Sequence, residues 1–463
     1  KSYDRISEIT PEIESPQRKT DSYRPSPKEN KLNAWYQKCE IKGNTSGKLK
    51  GRTIVAKDNI CVAGVPMMNG ASVLEGYVPK TDATVISRIL SAGGTIVGKS
   101  VCESLCFSGG SHTNDTGPVR NPHDPSRSSG GSSSGSAALV AAGEVDMALG
   151  GDQGGSIRMP ASWCGVVGHK PTFGLVPYTG AFPIEITLDH LGPITKTVDD
   201  CALLLDVISG PDGFDPRQQI APKKVSYVSS ILGDCDGMKI GMIKEGFGWE
   251  DLSDENVDNT VLEASKMYSV LGVDVEDVSI PLHRDGIHIW NAIAIEGANS
   301  LMIKGNGMGT NWKGLYNTEL LDAFAKGRLT RPNDLSETTK LVMLTGQYMA
   351  DHYQGRFYSI AQNLSRVLAK AYDKALAKYD ALLLPTVPII ASKIPEPDCS
   401  REEYIARALE MVNNTCPFDV TGHPSITIPC GVSNGMPVGM MLIGKCNEDQ
   451  TILKLAKAFE STS

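Results

Sequence analysis

The sequence predicts an α/β fold: one large domain with a central twisted mixed β-sheet that is covered by helices on both faces. Short β-rich runs alternate with helical patterns along the chain, and this order is typical of a sheet covered by helices. Strand-like runs occur towards both ends of the 463 residues, which indicates one shared sheet. We predict an N-terminal arm with a helical segment over residues 1–47. The α/β domain follows over residues 48–463, with a mainly helical insertion around residues 283–380.

The first half of the domain supplies alternating strands and helices. Four runs predict strands: TIVAKDNI from Thr53, GTIVGK from Gly94, GVVGHKP from Gly165 and GLVPYTG from Gly174. TDATVISRILSAGG predicts a helix that begins after an N-cap at Thr81 or Asp82 and stops at glycine. TVDDCALLLDVISG, from Thr197, predicts a second capped helix.

The second half repeats this order and then returns to strands. KIGMIKE, a helix near Asp254 to Leu271 and VDVEDVSIP predict a further strand–helix–strand unit. ALLLPTVPII, SITIPCGV and PVGMMLIGK predict three more strands, and a closing helix begins near Glu448.

The composition argues against several classes of protein. The formal net charge is −8, and no Lys/Arg run indicates a nucleic-acid partner. No apolar run approaches the roughly eighteen residues of a membrane span. The eleven cysteines are scattered, and the spacing of Cys102 and Cys106 suits neither a zinc ribbon nor a redox CxxC motif. We therefore expect a reduced, cytoplasmic setting and a protein that works without metal, cofactor or membrane. The first residue is Lys1, so the sequence does not reveal whether a targeting segment preceded it.

Two glycine-serine loops flank one short apolar run between Gly130 and Ala161, GGSSSGSAALVAAGEVDMALGGDQGGSIRMPA. Glycine in a core costs backbone entropy and buried hydroxyls need partners, so this segment indicates chemistry rather than scaffold. Gly131 to Gly135 match the hydrolase motif G-x-S-x-G, but RNPHDPSRSSG precedes them where that motif needs a strand. Phosphate-loop, HExxH, EF-hand and S-x-x-K motifs are absent from the sequence.

The second loop carries the stronger signal. MALGGDQGGSIRMP runs from an apolar strand end into Gly154, Gly155 and Ser156. Consecutive glycines let successive backbone N–H groups point at one spot, as an oxyanion hole requires. Arg158 can hold the loop or nearby carboxylates. The alternative is a tight βα turn whose glycines serve packing only.

The whole stretch resembles the amidase signature family. GGSSSGSAA and GGDQGGSIRMPASWCGVVGHKPT match its core motif, and the lysine of TIVAKDNI precedes them. Ser132 lies 24 residues before Ser156, and Lys57 lies 75 residues before Ser132, which are the intervals of the family's serine–serine–lysine triad. The resemblance extends from about Gly51 to the end of the chain.

The resemblance implies a role for each residue. Ser156 would be the nucleophile, Ser132 the bridging serine after a cis peptide bond with Gly131, and Lys57 the base. Backbone N–H groups would form the oxyanion hole, and they belong to Gln153, Gly154, Gly155 and Ser156. Asp152 and Arg158 would support the loop. Lys57 accepts a proton only when neutral, and burial among the apolar neighbours of TIVAKDNI disfavours its ammonium form. Strand alternation turns the adjacent Asp58 away.

Other side chains at this site are expected to be structural. This triad leaves no role for a histidine, so we interpret His169 and His190 as hydrogen-bonded structural residues and His423 as a turn residue. Cys164 fits a small buried position without a base partner.

The sequence around the core indicates a substrate class. Gly151-Asp152-Gln153 stands where many members carry Thr-Asp-Thr or Thr-Asp-Ile, and GGDQGGSIR with HKPTFGLVPYTGAFPIE resembles the bacterial nitrile-pathway amidases. This resemblance implies hydrolysis of small aliphatic or aromatic carboxamides to carboxylate and ammonia, with carbamates (urethanase activity) or esters as further substrates. Trp290, Trp312 and Tyr316 are candidates either for an acyl pocket or for the core.

Two other functions stay open at this point. An amidotransferase A subunit, which supplies ammonia to a tRNA-dependent complex, looks similar. A binding protein on an inactive amidase fold is the third hypothesis, although all three triad positions are filled. We expect a small-molecule amide or carbamate as the partner, and a homodimer is one possible assembly.

Overall fold

A mixed sheet of twelve strands forms the centre of the computed structural model, which describes residues 1–9, 16, 18–218 and 225–462. In chain order, the strands are β1 Ser22–Tyr23, β2 Trp35–Lys42, β3 Thr53–Lys57, β4 Thr95–Ser100, β5 Met147–Asp152, β6 Val167–Lys170, β7 His190–Thr195, β8 Lys239–Ile243, β9 Asp274–Val278, β10 Ala381–Pro385, β11 Ser425–Ser433 and β12 Met436–Ile443. Across the sheet they follow the order β1-β2-β4-β3-β5-β7-β6-β11-β12-β10-β8-β9.

The helices surround this sheet. They are α1 Ser2–Glu8, α2 Thr84–Ser91, α3 Ser134–Ala141, α4 Arg158–Cys164, α5 Val198–Ile208, α6 Tyr227–Ser230, α7 Glu255–Ser265, α8 Met267–Val270, α9 Gly286–Ala298, α10 Thr318–Thr330, α11 Glu337–Tyr353, α12 Arg356–Leu376, α13 Arg401–Leu409, α14 Pro417–Thr421 and α15 Asp449–Glu460. Helices α9 to α12 lie between β9 and β10, where the sequence predicts the insertion. None of the helices in the described ranges combines the length and apolar character that a membrane crossing requires.

Both faces of the sheet are buried, as the predicted α/β fold requires. Val55 of β3 and Ala148 of β5 belong to one apolar core, whereas Ile54, Met147 and Leu149 belong to the other. Successive residues of a strand point to opposite faces, so a strand with two covered faces is apolar along its whole length. This explains why TIVA and MAL carry no polar alternation.

The predicted strand at GLVPYTG does not form. Residues 174–180 are irregular, with Gly174 and Gly180 in the left-handed region at φ +75° and +84°. Pro177 in their middle has no N–H for a strand ladder. The segment instead lies against the functional site as a loop.

Two other expectations differ from the structure in detail. Helix α2 has Ala83 as its N-cap and no side-chain cap, because the Asp82 carboxylate instead accepts hydrogen bonds from Arg18 and from the Ala63 N–H. Strands β1 and β2 lie within the predicted arm of residues 1–47, and β2 pairs antiparallel with β4. The predicted cap at Thr197 is confirmed by its bond from the Asp200 N–H.

Candidate active site

The site lies at one edge of the sheet, where β3 and β5 end side by side. These strands are parallel neighbours, with Ala56 opposite Leu149. The carboxyl ends of parallel strands meet at the same edge, so Lys57 at the end of β3 lies beside the loop that follows Asp152. Two segments about ninety residues apart in sequence are thereby brought together.

Lys57 and Ser132 are in direct contact. The Lys57 Nζ lies 2.8 Å from Ser132 Oγ and 3.1 Å from the carbonyl oxygen of Gly151. Both side chains are completely buried. The peptide bond between Gly131 and Ser132 is cis, as the resemblance implies.

The neighbouring acid does not share this site. Asp58 points to the other side of the strand end, where its carboxylate forms a buried ion pair with Lys99 at 3.0 Å. It also accepts hydrogen bonds from the N–H groups of Met68 and Asn69. The predicted alternation is therefore present, and within the described residues no hydrogen bond of Lys57 goes to a carboxylate.

The Ser132 segment adjoins Ser156. The Ser133 N–H donates to the carbonyl oxygen of Ser156 at 3.2 Å, so the two loops are joined through their backbones. The Ser133 hydroxyl donates a hydrogen bond to the Gly151 carbonyl and accepts one from the Gly151 N–H. A bend rather than a strand precedes it, which rules out the G-x-S-x-G elbow with Ser133 as nucleophile.

The glycine loop presents three of the four predicted N–H donors. Within the described part of the chain, no protein acceptor binds the N–H of Gln153, Gly154 or Ser156. The Gly155 N–H is different: it donates to Asp152 Oδ1 at 2.6 Å, so its predicted role in the oxyanion hole is not supported. Gly155 is needed for space and conformation, because its φ is +134° and a Cβ there would lie 2.2 Å from Thr415 Oγ1.

The carbonyl groups of the same loop are held from outside. Trp290 Nε1 donates to the Gln153 carbonyl at 2.7 Å, and Thr415 Oγ1 donates to the Gly154 carbonyl at 2.6 Å. The Gln153 carbonyl shares a peptide plane with the Gly154 N–H, so Trp290 fixes the orientation of one free donor. The Gly154 carbonyl shares its plane with the Gly155 N–H, so Thr415 and Asp152 together fix the peptide plane between the free donors of Gly154 and Ser156. Such preorganised donors suit a developing oxyanion.

A buried ionic cluster supports the loop from below. Arg158 binds Asp152 through Nε at 3.0 Å and Nη2 at 2.9 Å, and its Nη2 also binds Asp419 at 2.6 Å. Asp152 in turn accepts from the N–H groups of Gly155 and Ile157. Both predicted supporting residues are therefore in place, and Asp419 is a third member that the sequence analysis did not identify.

The two acids of this cluster carry different charges. Burial opposes ionisation of Asp152, but the charge and hydrogen bonds of Arg158 outweigh burial and hold the pKa of Asp152 well below its usual value. Burial and the Asp152 charge raise the pKa of Asp419 well above its usual value. The cluster thus favours the ionised form of Asp152 beside the Arg158 guanidinium and disfavours ionisation of Asp419.

Ser156 lines an apolar cavity at the end of the glycine loop. Eight of the side chains that line it are apolar: Phe107, Met159, Ile184, Leu188, Trp290, Ala294, Leu409 and Val412. No charged side chain lines it among the described residues. Trp290 is therefore a pocket residue, whereas Trp312 lines a separate cavity and Tyr316 lines neither.

The histidines have structural partners. His169 binds Asp449, His190 contacts Leu188 and Lys170, and His423 contacts Thr421. In the described ranges, no three His, Cys, Asp or Glu side chains are grouped as a metal site requires.

The sequence analysis did not identify Thr415 and Asp419, because nothing in their local sequence indicates that they support the glycine loop. They lie on the chain near α14, some 260 residues after the loop that they hold. Only folding brings these segments together.

Comparison with known proteins gives consistent results. The sequence matches the amidase family over residues 5–453. It is 49% identical to an enantioselective amidase of Rhodococcus rhodochrous, over 94% of this chain and 84% of that protein. It is 37% identical to the glutamyl-tRNA(Gln) amidotransferase A subunit of Methanosarcina mazei, over 90% of this chain and 85% of that protein.

The solved structure of the corresponding protein from Thermotoga maritima superposes with a TM-score of 0.75 and 34% identity, over 91% of this chain and 85% of that one. Together, these matches show that the chain belongs to the amidase family, the amidase signature enzymes, and is a hydrolase of carbon–nitrogen bonds in amides.

Proposed function

We propose that this amidase hydrolyses small, uncharged aliphatic or aromatic carboxamides to carboxylate and ammonia through an acyl-enzyme on Ser156. The observation that carries the proposal is the buried contact between Lys57 Nζ and Ser132 Oγ beside a serine that lines an apolar cavity. A serine hydroxyl needs a base within hydrogen-bond reach to become a nucleophile. Lys57 and Ser132 supply that base in two steps.

The proton follows one path in both directions. Neutral Lys57 takes the proton of Ser132, and Ser132 takes that of Ser156 as the Ser156 oxygen attacks the amide carbonyl. The same path returns the proton to the leaving nitrogen, and ammonia departs. Water then cleaves the ester bond of the acyl-enzyme by the same route.

The glycine loop stabilises the charge that develops on the carbonyl oxygen. The free N–H groups of Gln153, Gly154 and Ser156 are the candidate donors. Removal of one such donor costs about 2.7–4 kcal/mol in comparable enzymes, so this loop provides a large share of the rate enhancement.

The pocket favours a free-standing amidase over an ammonia-supplying subunit. Glutamine carries an ammonium and a carboxylate, and burial of these charges without partners is strongly unfavourable. The cavity beside Ser156 offers apolar and neutral polar side chains instead. This chain is also more similar in sequence to the Rhodococcus amidase than to the Methanosarcina mazei amidotransferase subunit, which again favours a free-standing amidase. Carbamates and esters present the same carbonyl to Ser156, and we include them as secondary substrates.

The test is release of ammonia and carboxylate from a panel of primary amides, carbamates, esters and L-glutamine. Wild type, Ser156→Ala and Ser162→Ala are compared. Ser162 is a matched control because its buried hydroxyl has no protein partner among the described residues and does not line the cavity.

We expect apolar amides to be hydrolysed and Ser156→Ala to lack turnover, while Ser162→Ala keeps it. A clear preference for glutamine, or normal turnover by a folded Ser156→Ala, would contradict the proposal.

A further inference from the structure

Glu103 is a buried acid that the proposed mechanism does not use. It lies in the segment after β4, and its side chain is inaccessible to solvent. Its backbone N–H donates to the Ser132 carbonyl at 3.2 Å, so it is joined directly to the serine that contacts Lys57. Glu103 does not line the cavity beside Ser156. Its effect on the reaction must therefore act through the residues that it holds.

The Glu103 side chain contacts the same loop on both sides of Ser132. Before Ser132, it packs so closely against Gly131 that a Cβ added there would lie 2.8 Å from Glu103 Cγ. After Ser132, Glu103 Oε1 accepts a hydrogen bond from the Ser134 hydroxyl at 2.8 Å. Three of the four residues from Gly131 to Ser134 therefore pack against Glu103 or bind it.

Ser133, the remaining residue of this loop, is held from another side. Its N–H donates to the Ser156 carbonyl, and its hydroxyl binds the backbone of Gly151. The loop therefore lies between Glu103 and the residues around Ser156. A serine hydroxyl takes one of three staggered positions on its backbone, so this support limits where Ser132 Oγ can lie.

The Glu103 carboxylate also joins this loop to a second segment. Its Oε2 accepts from the Thr113 N–H at 2.7 Å and from Thr113 Oγ1 at 2.8 Å, and its Oε1 accepts from Asn114 Nδ2 at 3.3 Å. Each carboxylate oxygen thus faces an N–H group, which can donate but cannot accept. A glutamine at this position would place its own NH₂ against one of these N–H groups in either orientation.

We propose that Glu103 is a positioning residue, which holds the loop of Ser132 so that the Ser132 hydroxyl stays between Lys57 and Ser156 during proton transfer. This inference rests on the proposed function, in which Ser132 carries the proton in both directions. Loss of the carboxylate should weaken proton transfer without changing the cavity that receives the acyl group.

The experiment compares wild type with Glu103→Gln, Ser134→Ala and the variant that carries both substitutions. Assays are run above about pH 7, where the Glu103 carboxyl is ionised. Asp449→Asn is the matched control, because Asp449 is also a buried acid that accepts from the N–H and hydroxyl of a threonine, Thr172, but does not line the cavity. Circular dichroism confirms folding of each variant.

The substrates are butyramide and p-nitrophenyl butyrate, which share one acyl group and differ in what Ser132 must do. The amide nitrogen needs a proton from Ser132 in order to leave, whereas p-nitrophenolate leaves without one. Misplacement of Ser132 should therefore slow hydrolysis of the amide more than hydrolysis of the ester. A loss of folded protein would lower both rates equally.

We expect Glu103→Gln and Ser134→Ala each to lower kcat for butyramide by about tenfold or more, with little change in KM, because small displacements of a reacting group are costly. The ratio of amide to ester turnover should fall in both variants. The double variant should lose little more than the weaker single variant, because both substitutions break the same link. Asp449→Asn should leave the ratio unchanged.

Three results would overturn the inference. They are an unchanged amide-to-ester ratio in a folded Glu103→Gln, an equal fall of this ratio in Asp449→Asn, and a loss in the double variant that equals the product of the two single losses. If Glu103→Gln does not fold, an unchanged ratio in Ser134→Ala overturns the inference by itself. Failure of the proposed function is distinguishable, because wild type would then not hydrolyse butyramide.

Discussion

The Nζ of Lys57 and the Oγ of Ser132 lie 2.8 Å apart, and no part of either side chain reaches solvent. The described hydrogen bonds of Lys57 also include one to the carbonyl oxygen of Gly151, at 3.1 Å. The chemistry of the site depends on this contact.

Removal of either member of this pair should abolish most of the activity. We expect Lys57→Ala and Ser132→Ala each to lower kcat by about 10²–10⁴-fold, the usual contribution of general acid–base catalysis, with the fold intact. The measurement is ammonia release at saturating amide, with circular dichroism as the check on folding. Near-normal turnover in a folded Lys57→Ala would exclude Lys57 as the base.

The hydroxyl of Thr415 should affect turnover rather than substrate binding. Thr415→Val keeps the shape but loses the hydrogen bond to the Gly154 carbonyl, which loosens the peptide plane between the candidate oxyanion donors of Gly154 and Ser156. We expect kcat to fall about tenfold with little change in KM, because the interaction matters most in the transition state. Thr427→Val, which removes a buried hydroxyl from β11, is the control. An equal loss in both variants would point to general destabilisation.

Two substitutions in the buried cluster of Arg158, Asp152 and Asp419 should lower the free energy of unfolding by different amounts. Arg158→Leu leaves the Asp152 carboxylate without its partner and should lower the free energy of unfolding by about 3–5 kcal/mol. Because the pKa of Asp419 is raised well above its usual value, we expect its carboxyl to be neutral, and Asp419→Asn, which replaces it by a neutral amide, should lower the free energy of unfolding by less than about 1 kcal/mol. Urea unfolding measures both. A similar loss in the two variants would mean that Asp419 is ionised.

Glu103 predicts a specific dependence of stability on pH. It is fully buried, and burial outweighs its hydrogen bonds from Thr113, Asn114 and Ser134, which raises its pKa from 4.5 to about 7. A carboxyl with a raised folded-state pKa stabilises the fold below the unfolded value, and this contribution is lost as pH rises through the folded value.

The free energy of unfolding of wild type should therefore fall between about pH 4.5 and pH 7 relative to that of Glu103→Gln, by up to about 3 kcal/mol. Urea titrations of both proteins at several pH values test this. Parallel pH profiles would show that Glu103 has the same pKa in the folded and unfolded chains.

The sequence was most informative where chemistry and motif coincide. Lys57, Ser132 and Ser156 could be proposed as the reacting groups because their spacing and glycine-rich context match a family, and the apolar strand runs predicted the sheet. The strand at Gly174 was predicted wrongly because an apolar run with two left-handed glycines and a central proline forms a loop instead. Local sequence does not report positive φ angles reliably.

The remaining features depend on contacts between distant segments. Trp290 and Thr415 hold carbonyls of a loop that lies more than 130 residues before them. The hydrogen bond from the Gly155 N–H to Asp152 depends on the geometry of a short turn, which composition alone does not reveal. Such relationships arise only from the folded chain.

The proposed reacting groups sit on the ends of β3 and β5 and on the loops beside them, whereas Trp290 and Ala294 bring part of the pocket wall from helix α9. Chemistry and recognition therefore reside largely on separate parts of one chain. Because Trp290 also holds the Gln153 carbonyl, Ala294 is the position on α9 where we expect a substitution to alter which acyl group is accepted while the Lys57–Ser132 contact stays intact. A scaffold divided in this way lets substrate range diversify without rebuilding the reaction.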